Sequence, residues 1–116
     1  MKGPVYIAGK MRGMPFFNFP AFDEAALRFH EAGWRVISPA DLDRLHGFTE
    51  EMPPPSKEFL REAILRDLQA ISTCTAIALL PGWETSQGVR VELALAQFLG
   101  LEVYDASTLE PLKGTK

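Results

Sequence analysis

The chain has 116 residues, 47% of them apolar and 23% charged, and 12 basic against 15 acidic side chains leave a formal charge of −3. That length supports one domain, residues 1–116, and the charge balance supplies no general field for a nucleic-acid polymer or an anionic membrane. No apolar run approaches the roughly 18 residues that span a bilayer, "MKGPVYIAGK" lacks the apolar core of a signal peptide, and a lone cysteine, Cys74, suits a reducing compartment, so a cytoplasmic protein is expected.

"PVYIAG" (4–9) is a β-rich apolar run that stops at glycine, which predicts a buried first strand. The loop "KMRGMPFFNF" follows. Pro20 then suits the first turn of a helix carrying Phe22, Ala25, Ala26 and Phe29 at helical spacing, with Gly33 as its stop. "RVIS" (35–38) is a second strand, closed by Pro39. Residues 39–55, "PADLDRLHGFTEEMPPP", read as a long connection, either a functional lip or a mobile one. Ser56 caps a helix reaching about Ser72, and "TAIALL" (75–80) is the third strand. Ser86 caps a helix over 87–99, Gly100 ends it, and "LEVY" (101–104) is the fourth strand. Strands alternating with helices predict a small Rossmann-like, flavodoxin-like α/β sandwich with a parallel sheet of about four strands. In such folds ligands sit beyond the carboxyl ends of the strands, where "GKMRGMP" and "PGWETSQG" both fall.

Counting at about 100° per residue places Glu92 roughly 160° from Arg90, on the stripe of Ala96 and Leu99. Asp67 likewise shares a face with Leu60, Ile64 and Ile71, while Arg61, Glu62, Arg66 and Gln69 lie elsewhere, as surface residues should. Two helices therefore each turn one carboxylate inward. Each acid alone would suit a structural contact. Two beside the ligand edge suit a pair whose proton affinities are pushed apart for acid and nucleophile chemistry.

Ser86 and the first-turn amides of Gln87 and Gly88 form an anion site at a helix N-terminus, or simply a cap. Gly88 permits close approach of a ligand to the backbone. Lys10 and Arg12, between Gly9 and Gly13, offer a facing cationic loop, with Arg12 able to grip a phosphate bidentately. Phe16, Phe17, Phe19 and Trp83 either stack on a base or serve the core. His30 and His46 lack ligand spacing, so neither a metal nor any other cofactor is expected. Cys74 has no base beside it and is expected to be inert.

"YIAGKMRGMPFFNFPAF", the "RDL" containing Asp67 and "ALLPGWETSQGVRVELALA" together resemble the nucleoside 2-deoxyribosyltransferase-like superfamily, in particular its short phage- and prophage-associated branch. That superfamily includes nucleoside 2-deoxyribosyltransferases and 2′-deoxynucleoside 5′-phosphate N-hydrolases. The resemblance covers nearly the whole chain. It implies that Glu92 is a nucleophile attacking C1′ of a sugar, that Asp67 assists the leaving base and that Tyr6 orients the nucleophile. It further implies that Arg12, Ser86 and Gly88 hold a 5′-phosphate. Two positions depart from the branch, which often has proline where Lys10 stands and aspartate where Thr75 stands.

The resulting expectation is an N-glycosidase acting on a (deoxy)nucleoside 5′-monophosphate. A deoxyribosyltransferase and a non-catalytic nucleotide-sensing module are the alternatives. Leu93, Leu95, Phe98 and Leu99 spread apolar surface widely around the helix 87–99, which predicts a homodimer or burial by a neighbouring helix.

Overall fold

Val5, Tyr6, Ile7 and Ala8 are all fully buried, as a strand must be when a parallel sheet is covered on both faces. The computed structural model describes residues 2–112 and runs in the order β1 (Lys2–Ala8), α1 (Phe19–Glu31), β2 (Trp34–Ile37), α2 (Pro39–Leu45), α3 (Lys57–Ile71), β3 (Ala76–Leu79), α4 (Gln87–Phe98) and β4 (Glu102–Asp105). The four strands form one all-parallel sheet in the order β2-β1-β3-β4. Chain order reverses between β1 and β3, which pair Val5 with Ala76 through Ala8 with Leu79.

Alternation along β1 divides the core in two. Val5 and Ile7 point to one face, under Phe19, Phe22, Ala25 and Phe29 of α1. Tyr6 and Ala8 point to the other, against Ile71 of α3 and Val89, Leu93 and Ala96 of α4. The strand pleat thus decides that the one hydroxyl-bearing side chain of β1's buried run faces the two acid-bearing helices.

Both predicted caps form: Ser56 Oγ accepts from the Phe59 amide at 3.1 Å, and Ser86 Oγ from the Val89 amide at 3.2 Å. Gly33 and Gly100 follow α1 and α4 with φ of 92° and 76°, left-handed values that glycine adopts without strain. The strands and long helices match expectation to within a few residues at their ends.

One expectation fails. The stretch from Pro39 is not wholly a connection, because Pro39–Leu45 forms α2, with Pro39 in its first turn. Its Pro39, Ala40 and Asp43 are buried, so this seven-residue helix is held by tertiary packing more than by its own periodicity. Arg44 pins it, pairing with Asp23 of α1 at 2.9 Å, Asp41 at 3.1 Å and Glu50 at 3.2 Å. Among the described residues no helix is long and apolar enough to cross a membrane.

Candidate active site

A cavity of about 450 Å³ opens beyond the carboxyl ends of β1 and β3, at the point where strand order reverses. Its size is that of a small-molecule site. One side is the β1 loop, Gly9 to Arg12. Opposite it is the start of α4, from Thr85 to Val89. Lys10 Nζ reaches across to Thr85 Oγ1 at 3.4 Å, so the two loops touch at the rim. Asn18 Nδ2 donates to the Lys10 carbonyl at 3.0 Å and holds the β1 loop from behind.

The cavity floor is acidic. Glu92 is 5% exposed, Asp67 9% and Asp43 6%, and all three line the cavity. Tyr6, fully buried behind them, donates its hydroxyl to Glu92 Oε2 at 2.6 Å. Burial raises the Glu92 carboxyl well above the ordinary carboxylate range, and the nearby Asp67 charge raises it further, while the Tyr6 hydrogen bond opposes both. Asp67 is raised by burial and then by Asp43, with the Tyr6 hydrogen bond and Arg66 opposing. Two carboxyls in such surroundings do not both ionise readily, so the pair retains a proton into the neutral range. Tyr6 is raised far above its usual value, first by burial and then by the two acids, and so remains a donor.

Gly88 sits at the open end of α4: a Cβ there would meet only Ser86 Oγ, at 3.8 Å. The first-turn amides of α4 and its dipole are accordingly open to an anion from the cavity side. Gly9 is different, since a Cβ there would lie 2.6 Å from Leu80 Cδ1 and 2.9 Å from Leu80 Cβ. It is glycine because the ends of β1 and β3 are packed against each other.

The sequence-derived set is therefore mostly, but not wholly, brought together. Glu92, Asp67, Gly9, Lys10, Arg12, Ser86 and Gly88 line the cavity, with Tyr6 directly behind. Gly13 and Trp83 do not line it. Gly13 is an exposed turn glycine with φ of 75°, and Trp83 packs on the second core cluster. Of the loop phenylalanines, Phe16 is 59% exposed and away from the cavity, Phe19 is a core residue that also lines the cavity, and Phe17 stands half-buried in the cavity wall. Phe16, Phe17 and Asn18 have φ of 52°, 53° and 62°, an unusual left-handed run for non-glycine residues.

Three of the lining side chains that the sequence did not single out bear on the chemistry. Asp43 comes from α2, and Phe48 and Phe59 form an aromatic wall with Phe17, at centroid separations of 5.1 Å for Phe17–Phe48 and 5.3 Å for Phe48–Phe59. The signal for Asp43 was present in "SPADLDRL", a serine followed by proline at a helix start. Arg66, expected at the surface, is only 20% exposed in its side chain and lies 3.8 Å from Asp43 Oδ1 with its guanidinium over the Phe59 ring. Cys74 is buried and free, its thiol pushed up to about 11 by burial, away from the cavity. Among the described residues no three His, Cys, Asp or Glu side chains are grouped closely enough to hold a metal ion.

No curated protein matches the chain in sequence. A family described as a domain of unknown function, DUF4406, has a sequence profile that matches residues 3–105, all but the first residue of the sheet together with its flanking helices, and the chain belongs to that family.

Proposed function

We propose that the protein is a nucleotide N-glycosidase that cleaves the base–sugar bond of a nucleoside 5′-monophosphate. The observation that carries this is the buried Glu92 carboxylate, oriented by the Tyr6 hydroxyl at 2.6 Å, in a cavity that also holds Asp67 and the open N-terminus of α4. The motif likeness to the nucleoside 2-deoxyribosyltransferase-like superfamily supports the same assignment.

Spacing supports a sugar phosphate. Ser86 and Glu92 are six residues apart on α4, about 9 Å along the axis at 1.5 Å per residue. A 5′-phosphate on the first-turn amides, with Arg12 and Lys10 closing over it, sets the sugar ring beside Glu92. A free nucleoside would leave that cationic rim without a partner.

The chemistry follows the retaining glycosidase scheme. A Glu92 carboxylate oxygen bonds to C1′ as the C1′–N bond breaks, and the bonding pair leaves with the base. Asp67 delivers its proton to the departing nitrogen. Water then attacks C1′ of the glycosyl ester and gives a proton to the Asp67 carboxylate, which frees the sugar 5′-phosphate and restores Glu92. Burial raises both acids and the Tyr6 hydrogen bond opposes the rise in both, so the assignment of the proton to Asp67 and of the charge to Glu92 is part of this proposal.

A homodimer belongs to the same proposal. Val91 is 49% exposed and Phe98 85%, and Leu95 lies between them on one apolar stripe of α4, whereas Leu93 and Ala96 are buried against the sheet side. Sedimentation of the wild type beside Phe98→Glu tests it, with dissociation expected in the variant.

The test of the activity is incubation with deoxy- and ribonucleoside 5′-monophosphates, followed by chromatography for free base. Release that vanishes in Glu92→Ala while nucleotide binding persists establishes the glycosidase. An added acceptor base separates hydrolysis from transfer. Binding without release from any nucleotide would assign the site to sensing instead.

A further inference from the structure

Asp43 is a buried acid that the hydrolytic scheme above does not use. It is 6% exposed, lines the cavity, and its Oδ1 has no hydrogen-bond partner among the described residues. Its nearest cation, Arg66, stands off at 3.8 Å and itself keeps Nε and Nη2 without hydrogen bonds. An acid and a guanidinium that served only each other would be expected to close to hydrogen-bonding distance. That oxygen is closed to solvent and faces Arg66, and a buried acceptor so loosely met is costly unless a turn of the carboxyl brings a bound group to it.

Its position along the cavity indicates what that is. Glu92 feels the charge of Asp67 more strongly than that of Asp43, while Asp67 feels Asp43 as its strongest charged neighbour. The packing gives the same order, since α3, which carries Asp67, lies against both α4 with Glu92 and α2 with Asp43, so the acids run Glu92, Asp67, Asp43, leading away from the nucleophile and past the acid that protonates the leaving group. Near Asp43 stand Phe17, Phe48 and Phe59, an apolar wall of rings in contact with one another. A planar heterocycle laid against that wall would present its polar edge to Asp43.

We propose that Asp43 selects the leaving base, accepting hydrogen bonds from an exocyclic amino group and rejecting bases that carry an oxo group at that edge. This rests on the glycosidase assignment for the placement of the base, and it extends that assignment to specificity. An ionised carboxyl only accepts, so it pairs with amino N–H donors and repels carbonyl oxygens. Burial raises Asp43 to about 6, with Arg66 and His46 opposing, which leaves it mostly ionised at pH 8.

Size-matched pairs test the proposal: dCMP against dUMP, dAMP against dIMP, and dGMP against 2′-deoxyxanthosine 5′-monophosphate, with the ribonucleotides in parallel. Both base release by the wild type and binding to Glu92→Gln are measured at pH 8. At least one amino-bearing nucleotide is expected to be favoured about tenfold or more over its oxo partner, in kcat/KM and in affinity. Asp43→Asn, close in shape and checked for folding by circular dichroism, is expected to collapse that preference while the oxo partner loses little. Equal treatment of amino and oxo partners by the wild type overturns the proposal without recourse to any Asp43 variant. So does an Asp43→Asn variant that weakens every nucleotide alike, which would leave Asp43 a structural partner of Arg66. Discriminating binding without base release would overturn the glycosidase and leave the selectivity of Asp43 standing. Failure to bind any of these nucleotides overturns both.

Discussion

The Tyr6 hydroxyl donates to Glu92 Oε2 at 2.6 Å, joining the middle of β1 to the second turn of α4 across 86 residues of sequence. The bond exists because the β1 pleat turns Tyr6 toward α3 and α4 while Val5 and Ile7 turn away. Removing the donor in Tyr6→Phe leaves a buried carboxylate oxygen without its partner. Stability is expected to fall by about 1–3 kcal/mol. Base release is expected to slow about a hundredfold, mainly in kcat, because the bond orients the nucleophile more than it binds substrate. Unchanged kcat in a folded Tyr6→Phe protein would remove Tyr6 from the reaction.

The acid pair also governs how stability responds to pH. Glu92 and Asp67 bind protons more tightly in the folded protein than carboxyls do in an unfolded chain. Their stabilising contribution is complete below the ordinary carboxylate range, and it is lost as pH rises from there through their elevated folded values. Thermal stability of the wild type is therefore expected to decline from pH 5 to pH 9. Glu92→Gln removes one titrating member, and its melting temperature should decline less steeply over that interval. Parallel slopes for the two proteins would contradict a strongly shifted Glu92.

Two glycines at the site should behave oppositely. Gly88→Ala adds a methyl group to open space, so its melting temperature should match or slightly exceed that of the wild type. The same methyl group would intrude on an anion at the α4 amides, raising KM for a nucleoside monophosphate about tenfold. Gly9→Ala drives a Cβ into Leu80 and should destabilise the protein by about 1–3 kcal/mol. Thermal denaturation and steady-state kinetics on both variants would separate these effects.

Arg12 is exposed at the cavity rim, and Lys10 bridges toward Thr85. Arg12→Ala is expected to weaken nucleoside monophosphate binding about tenfold at low ionic strength and less at high salt. Binding of the corresponding phosphate-free nucleoside should hardly change. Calorimetry with both ligands at two salt concentrations is the check, and equal losses for the two would place Arg12 away from the phosphate.

Much of the scaffold was readable from local rules. The caps at Ser56 and Ser86, the glycine stops and the apolar strand runs are decided within a few residues of chain, and each formed. Counting around a helix axis was enough to turn Asp67 and Glu92 inward, because a buried stripe is a property of one helix and its own sequence.

What lay opposite that stripe was not local. Arg66 reads as a surface residue on its own helix, yet it is half-buried because α2 and Phe59 lie against it. The seven residues of α2 carry too little periodicity to declare a helix, so the loop reading of 39–55 hid Asp43. Trp83 and Gly13 neighbour the ligand edge in sequence, but the β3 turn sends the indole to the core and the β1 turn leaves the glycine in solvent. The alternation of strands and helices, the capped helix starts and the inward aim of two acids were legible along the chain, since each depends on spacing within one element. That Tyr6 meets Glu92, that Asp43 joins the acidic floor and that Phe48 and Phe59 wall the cavity follow from packing between elements, since those depend on which elements the sheet order and the packing of α2 set face to face.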